Sequence, residues 1–197
     1  SRKEKRVNFL NDFFRVYFLE TGLGWAAIGA AAAMMFGCWG SALGIRVAAA
    51  QAAGVLSEKP DLFGKLLVLM ALPGTQGFYG FIGMMFIASQ TGLINAVAEA
   101  KTAAEAVRCA PVVGIGLMFV GVGVGIVQFW SARYQGETSA AAINLVGKQP
   151  ESSGRAILLP ALVETYALVG LLAGILMTIF LTKPLSFAQP ALKLVGG

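Results

Sequence analysis

A chain of 197 residues and 20.6 kDa is the size of one domain, two at most. Apolar residues make up 57% of it and charged residues only 13%, with a mean hydropathy of +0.73, whereas a soluble domain carries roughly a quarter charged residues. This excludes a soluble domain, a disordered chain, a coiled coil and a disulfide scaffold, and the absence of histidine excludes His-based zinc sites and Ser–His or Cys–His catalysis.

The chain opens with charge: Arg2, Lys3, Lys5, Arg6 and Arg15 all fall in its first fifteen positions. A basic start before apolar sequence signals contact with lipid headgroups, so the net charge of +5 is not read as nucleic-acid binding. Leu10 is followed by Phe13, Phe14, Tyr17 and Phe18, a spacing that puts one aromatic face on a helix. Residues 1–21 are therefore expected to form a basic amphipathic helix in the membrane interface. A signal peptide competes with this reading, but the apolar run that follows is too long for a signal h-region.

Four nearly uncharged stretches, 22–45, 66–89, 110–132 and 156–182, can each cross a bilayer, which takes about 20 helical residues. Backbone satisfaction in lipid demands helices or a closed barrel, and Ala, Leu and Gly without a period of 2 favour helices. Polar turns near 57–61 and 147–153 join the spans into a first hairpin at 22–89 and a second at 110–182. A link at 90–109 connects them, and a tail at 183–197 follows. Cys38 and Cys109 read as inert small hydrophobes.

The hairpins look like copies. A shift of 90 residues pairs Pro60 with Pro150, Gly64 with Gly154, Leu72 with Leu162, Thr75 with Thr165 and Gly80 with Gly170, nine identities in 31 positions from residue 50 to residue 80. A duplicated membrane fold commonly places a site between its copies. In this register Gly74 occupies the place of Glu164. Spans one and three are rich in glycine and alanine, and small residues at every third or fourth position suit close helix packing. The run 121–125 (GVGVG) lacks the preceding strand that a nucleotide-binding loop would need.

Glu164 is the one charge in its span. A carboxylate there costs at least ~3 kcal/mol and marks a functional site by default. Glu164 lies 14 residues after Pro150, Gln135 lies 15 before it, and Gln76 lies 16 after Pro60. At ~1.5 Å per residue these three fall at one depth. Leu72, Thr75, Gln76 and Tyr79 share one face of span two. Pro73-Gly74 breaks the hydrogen-bond ladder there, although position alone does not say which carbonyl is freed. One carboxylate among amide, hydroxyl and carbonyl oxygens suits a hard monovalent cation. An uncharged hydrogen-bonded network fixing helix register is the plainer reading. Arg133 and Glu137 at i and i+4 are expected to pair.

Several segments match a known family: LPGTQGFYG at 72–80, LVETY at 162–166, Gln135-Gly136, and KQPE at 148–151. Over roughly residues 22–182 the chain resembles the rotor-ring proteolipids of V-type ATPases, in particular those of the bacterial sodium-pumping branch. The resemblance implies a non-catalytic, ion-translocating subunit of the cell membrane, assembled as a homo-oligomeric ring and turned by ATP hydrolysis in a separate head. It implies that Glu164 carries the ion, that Na⁺ is held by the Leu72 carbonyl, Thr75, Gln76, Gln135 and Glu164, and that Tyr79 locks the carboxylate by a hydrogen bond. It further implies a stator subunit bearing an arginine, central-stalk subunits at the hairpin turns, contact with lipid, and no organic cofactor. H⁺ in place of Na⁺, and a stand-alone tetraspan carrier or channel, are the alternatives. Lys and Arg number nine in the termini and link against six assigned to the hairpin ends (Arg46, Lys59, Lys65, Arg133, Lys148 and Arg155). A raw positive-inside count puts the termini in the cytoplasm, and the resemblance puts the hairpin turns there.

Overall fold

The computed structural model describes residues 10–93 and 111–183, and within them every element is helical. Among the described residues four helices are long and apolar enough to cross a membrane: α1 (Leu23–Glu58), α2 (Pro60–Gln90), α3 (Pro111–Lys148) and α4 (Pro150–Thr182). Residues 1–9 with most of the basic start, 94–110 with most of the link expected at 90–109 and Cys109, and 184–197 of the tail expected at 183–197 lie outside the described residues.

The hairpin turns repeat in backbone as they do in sequence. A residue before proline is driven out of the helical region, and Lys59 (φ −135°, ψ 72°) and Gln149 (φ −136°, ψ 79°) end α1 and α3 in nearly the same way. Each proline then opens a single 3₁₀ turn, Pro60–Leu62 and Pro150–Ser152, where its missing N–H costs nothing. The two turns are tied together. Lys59 Nζ donates to the Gly147 carbonyl at 2.6 Å, Lys65 Nζ to the Pro150 carbonyl at 3.1 Å, and Gln51 Nε2 to Asn144 Oδ1 at 2.5 Å.

α1 and α3 form the centre, parallel and in the register of the repeat. A Cβ on Gly29 would lie 2.6 Å from Met118 Cα, and one on Gly40 2.6 Å from Phe129 Cα. A Cβ on Gly121 would collide with the Gly29 carbonyl. The glycines let the two backbones touch, which is how helices gain packing energy in lipid. α2 leans on α1 where Gly37 meets the Gln76 carbonyl, and α4 leans on α3 where Gly170 meets Val127. The outward faces of α2 and α4 carry exposed Phe78, Leu162, Val169 and Phe180, an apolar surface fit for lipid.

The helices outrun the uncharged stretches. α1 and α3 have 36 and 38 residues, about 55 Å at 1.5 Å per residue, whereas the hydrocarbon core is about 30 Å thick. Arg46 and Arg133, grouped with the hairpin ends on sequence, therefore lie well inside α1 and α3. A charged residue ends an apolar stretch without ending the helix.

α2 and α4 are both interrupted, at different levels. α2 tightens to 3₁₀ at Leu72–Gly74 around Pro73, while α4 breaks at Ile157, between Ser153–Ala156 and Leu158–Thr182. Pro160 accounts for the second break, because its ring excludes the carbonyl of Ala156 four residues back.

Ahead of α1, residues 10–14 are α-helical and Arg15–Glu20 is a π-helix. Gly22 turns the chain in the left-handed region at φ 65°, which glycine adopts without strain. The Trp25 indole N–H donates to the Phe18 carbonyl at 3.1 Å, and their rings meet edge to face at 5.2 Å. Leu10, Phe13, Phe14 and Tyr17 are exposed.

Candidate ion-binding site

The structure brings the predicted groups of α2, α3 and α4 into one cluster. Tyr79 Oη donates to Glu164 Oε1 at 2.6 Å. Gln135 Nε2 donates to the Pro160 carbonyl at 3.1 Å and to Glu164 Oε2 at 3.4 Å. That orientation turns Gln135 Oε1 toward α2, where Gln76 Nε2 reaches it at 2.5 Å. Gln76 Oε1 faces Thr75 Oγ1 at 3.4 Å, and Thr75 Oγ1 donates to the Leu72 carbonyl at 3.0 Å. A continuous run of polar contacts thus leads from Leu72 to Glu164, with the two amides fully buried. Glu164, Tyr79, Thr75 and Leu72 are half-buried at the edge of the apolar outer face.

Local sequence explains the placement. The 3₁₀ turn at Leu72–Gly74 breaks the regular helix ladder just before Gln76. The Gly77 N–H bonds to Ser41 Oγ at 2.8 Å instead. The Leu72 carbonyl accepts both the Thr75 N–H and its hydroxyl, so it already points toward the cluster. Arg133 and Glu137 pair at 3.5 Å on the exposed side of α3, away from Glu164's partners.

Two further residues were not anticipated. Ser131 Oγ donates to the Val163 carbonyl at 3.3 Å and receives Gln76 Nε2 at 3.4 Å. Gln128 Nε2 donates to the Ala167 carbonyl at 2.9 Å. With Gln135 on Pro160, α3 grips three α4 carbonyls that bracket Glu164. The signal was present in the spacing Gln128, Ser131, Gln135, Ser139, a polar stripe at helical period in an apolar span. Gln128 Oε1 and Ser139 Oγ are buried without a hydrogen-bond partner.

Chemically, the cluster offers one carboxylate and several neutral oxygens. Among the described residues no three His, Cys, Asp or Glu side chains gather to hold a metal. The arrangement can neutralise a single positive charge, delivered by a proton or by a monovalent cation as cargo.

Comparison with known proteins gives a consistent picture. The family profile of the ATP synthase C-subunit matches residues 28–87 and again 118–177. The two matches are offset by the same 90 residues as the internal repeat, and they contain all six residues of the cluster. The V-type sodium ATPase subunit K of Enterococcus hirae is 32% identical over 160 residues, covering 80% of this chain and 92% of that protein. The A-type ATP synthase subunit K of Methanocaldococcus jannaschii is 29% identical over 171 residues, covering 87% of this chain and 69% of that one. Two tandem family modules on a frame of four apolar helices leave one conclusion: the chain belongs to the ATP synthase C-subunit family, the non-catalytic membrane rotor proteolipids of rotary ATPases.

Proposed function

We propose that this chain is the rotor-ring subunit of a V-type ATPase of the cell membrane and carries one Na⁺ per copy on Glu164. The observation that supports this most directly is the run of oxygens from Leu72 to Glu164, gathered from three helices at one depth. Na⁺ ligation falls to the Leu72 carbonyl, the Thr75 hydroxyl, Gln76 Oε1, Gln135 Oε1 and the Glu164 carboxylate. Tyr79 stays outside the shell and holds the carboxylate by its hydroxyl. The sodium ATPase relative from E. hirae favours Na⁺ over H⁺.

The mechanism follows from charge. Glu164 sits beside exposed Leu162 on a face fit for lipid, where a bare carboxylate costs at least ~3 kcal/mol. Bound Na⁺ neutralises it, so a loaded copy can turn through lipid. A stator arginine then competes for the carboxylate and releases the ion. Each charge moved against the membrane potential takes ~2.3 kcal/mol per 100 mV. One carboxylate per four helices means few ions per turn, which suits pumping against a steep gradient. The hairpin turns face the cytoplasm and the central stalk, and the helical segment at 10–20 lies in the opposite interface with its exposed aromatic side chains in lipid.

Carbodiimide labelling of Glu164 in the isolated assembly, read by mass spectrometry across pH with and without Na⁺, tests the reading. The reagent attacks a protonated carboxyl, so millimolar Na⁺ at constant ionic strength is expected to protect it. Labelling that follows pH and ignores Na⁺ makes this a proton rotor, and no labelling removes Glu164 from the mechanism. A native mass of one chain, without ATPase subunits, would turn the reading to a stand-alone carrier.

A further inference from the structure

We propose that, where the second hairpin of one copy in the ring meets the first hairpin of the next, Tyr166 of the first copy is seated in a groove between α1 and α2 of the second, and Glu137 of the first is paired with Arg46 of the second. The inference rests on the ring assembly proposed above, and the occupant of the groove is therefore a second copy of this chain.

It comes from carrying the 90-residue repeat onto contacts seen within the molecule. Within one chain, α2 inserts Gln76 against the second hairpin, at 3.4 Å from Ser131 and 2.5 Å from Gln135. α1 lays Gly40 on Phe129 and Gly44 on Ala132 and Gly136. Advanced by 90 residues, Gln76, Gly40 and Gly44 become Tyr166, Trp130 and Tyr134, exposed by 75%, 44% and 52%. Moved back by the same step, Gln135, Phe129, Ala132 and Gly136 become Ile45, Trp39, Ala42 and Arg46, and all four are exposed. One molecule thus carries both halves of a second contact on opposite flanks, as a closed head-to-tail ring requires.

The groove fits its occupant. Met34, Cys38, Ile45, Gly74, Phe78 and Phe81 line an apolar cleft of about 600 Å³ between α1 and α2. In the register of the repeat it is the counterpart of the ion site, with Gly74 in place of Glu164 and Ile45 in place of Gln135. What an amide fills in the second hairpin, a tyrosine fills here. The charges agree as well. Arg46 is level with Gln135, because α1 and α3 run in the register of the repeat, and it forms no ion pair among the described residues. An arginine in a span needs a partner. Glu137, one turn beyond Tyr134, still shows 54% of its side chain beside Arg133.

The test places Ile45→Cys and Tyr166→Cys together in a chain with Cys38→Ala and Cys109→Ala, treats the assembly with a short bis-maleimide, and reads the products on denaturing gels. A ladder of multiples of one chain is expected, with neither single cysteine giving more than a dimer. Native mass spectrometry of the cysteine-free chain separates the two readings. If it finds no oligomer, the ring itself fails; if it finds an intact ring and the double variant gives no ladder, this interface is overturned. Arg46→Glu and Glu137→Arg are each expected to weaken the ring severalfold in detergent, and the double exchange to recover most of the loss. A ring indifferent to both single changes overturns the ion pair.

Discussion

Tyr79 and Glu164 stand 85 residues apart in the chain and 2.6 Å apart in space, joined by a hydrogen bond from the phenol to the carboxylate. The bond crosses from one hairpin to the other, so the carboxylate is held by the copy that lacks its own. Tyr79→Phe keeps the ring and removes the donor. A hydrogen bond to a charged group is worth about 1.5–3 kcal/mol, so the Na⁺ needed for half-protection from carbodiimide should rise roughly 10- to 100-fold. An unchanged protection curve would show that the phenol does not hold the ion-bound state.

Glu164→Gln keeps the side-chain shape and cannot ionise. ATP-driven Na⁺ uptake into vesicles should fall to background while the native mass of the ring is unchanged. If ion-linked transport persisted, the carboxylate would be structural.

Gln128→Leu tests the grip on α4. The change leaves the Ala167 carbonyl without its cross-helix donor. Such bonds average about 0.6 kcal/mol in membrane proteins, with a maximum near 1.7, so half-protection by Na⁺ should shift by a few-fold and by less than roughly 20-fold. Gln128 touches neither the carboxylate nor its ligands, so a shift with an intact ring marks it as a positioning residue. Ring loss with no shift in the surviving assembly would mark a packing role alone.

The glycine seam gives a sharper contrast. A Cβ at Gly121 meets the backbone of Gly29, whereas one at Gly64 meets nothing within 4 Å. Gly121→Ala should destabilise the folded chain by about 1–3 kcal/mol, as overpacking does. Gly64→Ala should hold or gain up to about 1 kcal/mol from helix propensity. Thermal unfolding of the two variants in detergent checks the order.

Much of this was legible in the sequence. Charge-free stretches located the spans, and Pro60 and Pro150 located the turns. Counting residues from those prolines put Gln76, Gln135 and Glu164 at one depth, because rise per residue is constant in a helix. What escaped has physical reasons. Helix ends were lost because α1 and α3 run on past Arg46 and Arg133 with alanine and small polar residues. Ser131 and Gln128 stood in a polar stripe with Gln135, but their partners are backbone carbonyls of α4, Val163 and Ala167, which no side-chain pattern advertises. The Leu72 carbonyl could not be singled out, since proline alone frees the carbonyl of Leu69; the observed tightening to 3₁₀ bends Leu72 to Thr75.

The contact of backbones along α1 and α3 has a mechanical side. With no side chain between Gly29 and Gly121, or between Gly44 and Gly136, there is no rotamer to relax, and the pair resists shear like a single stave. Compliance is left to α2 and α4, each broken within two turns of the carboxylate's level, at Leu72–Gly74 and at Ile157. The stiff pair can therefore carry torque along its length while the outer helices yield locally. A cation can be admitted or surrendered without bending the inner staves.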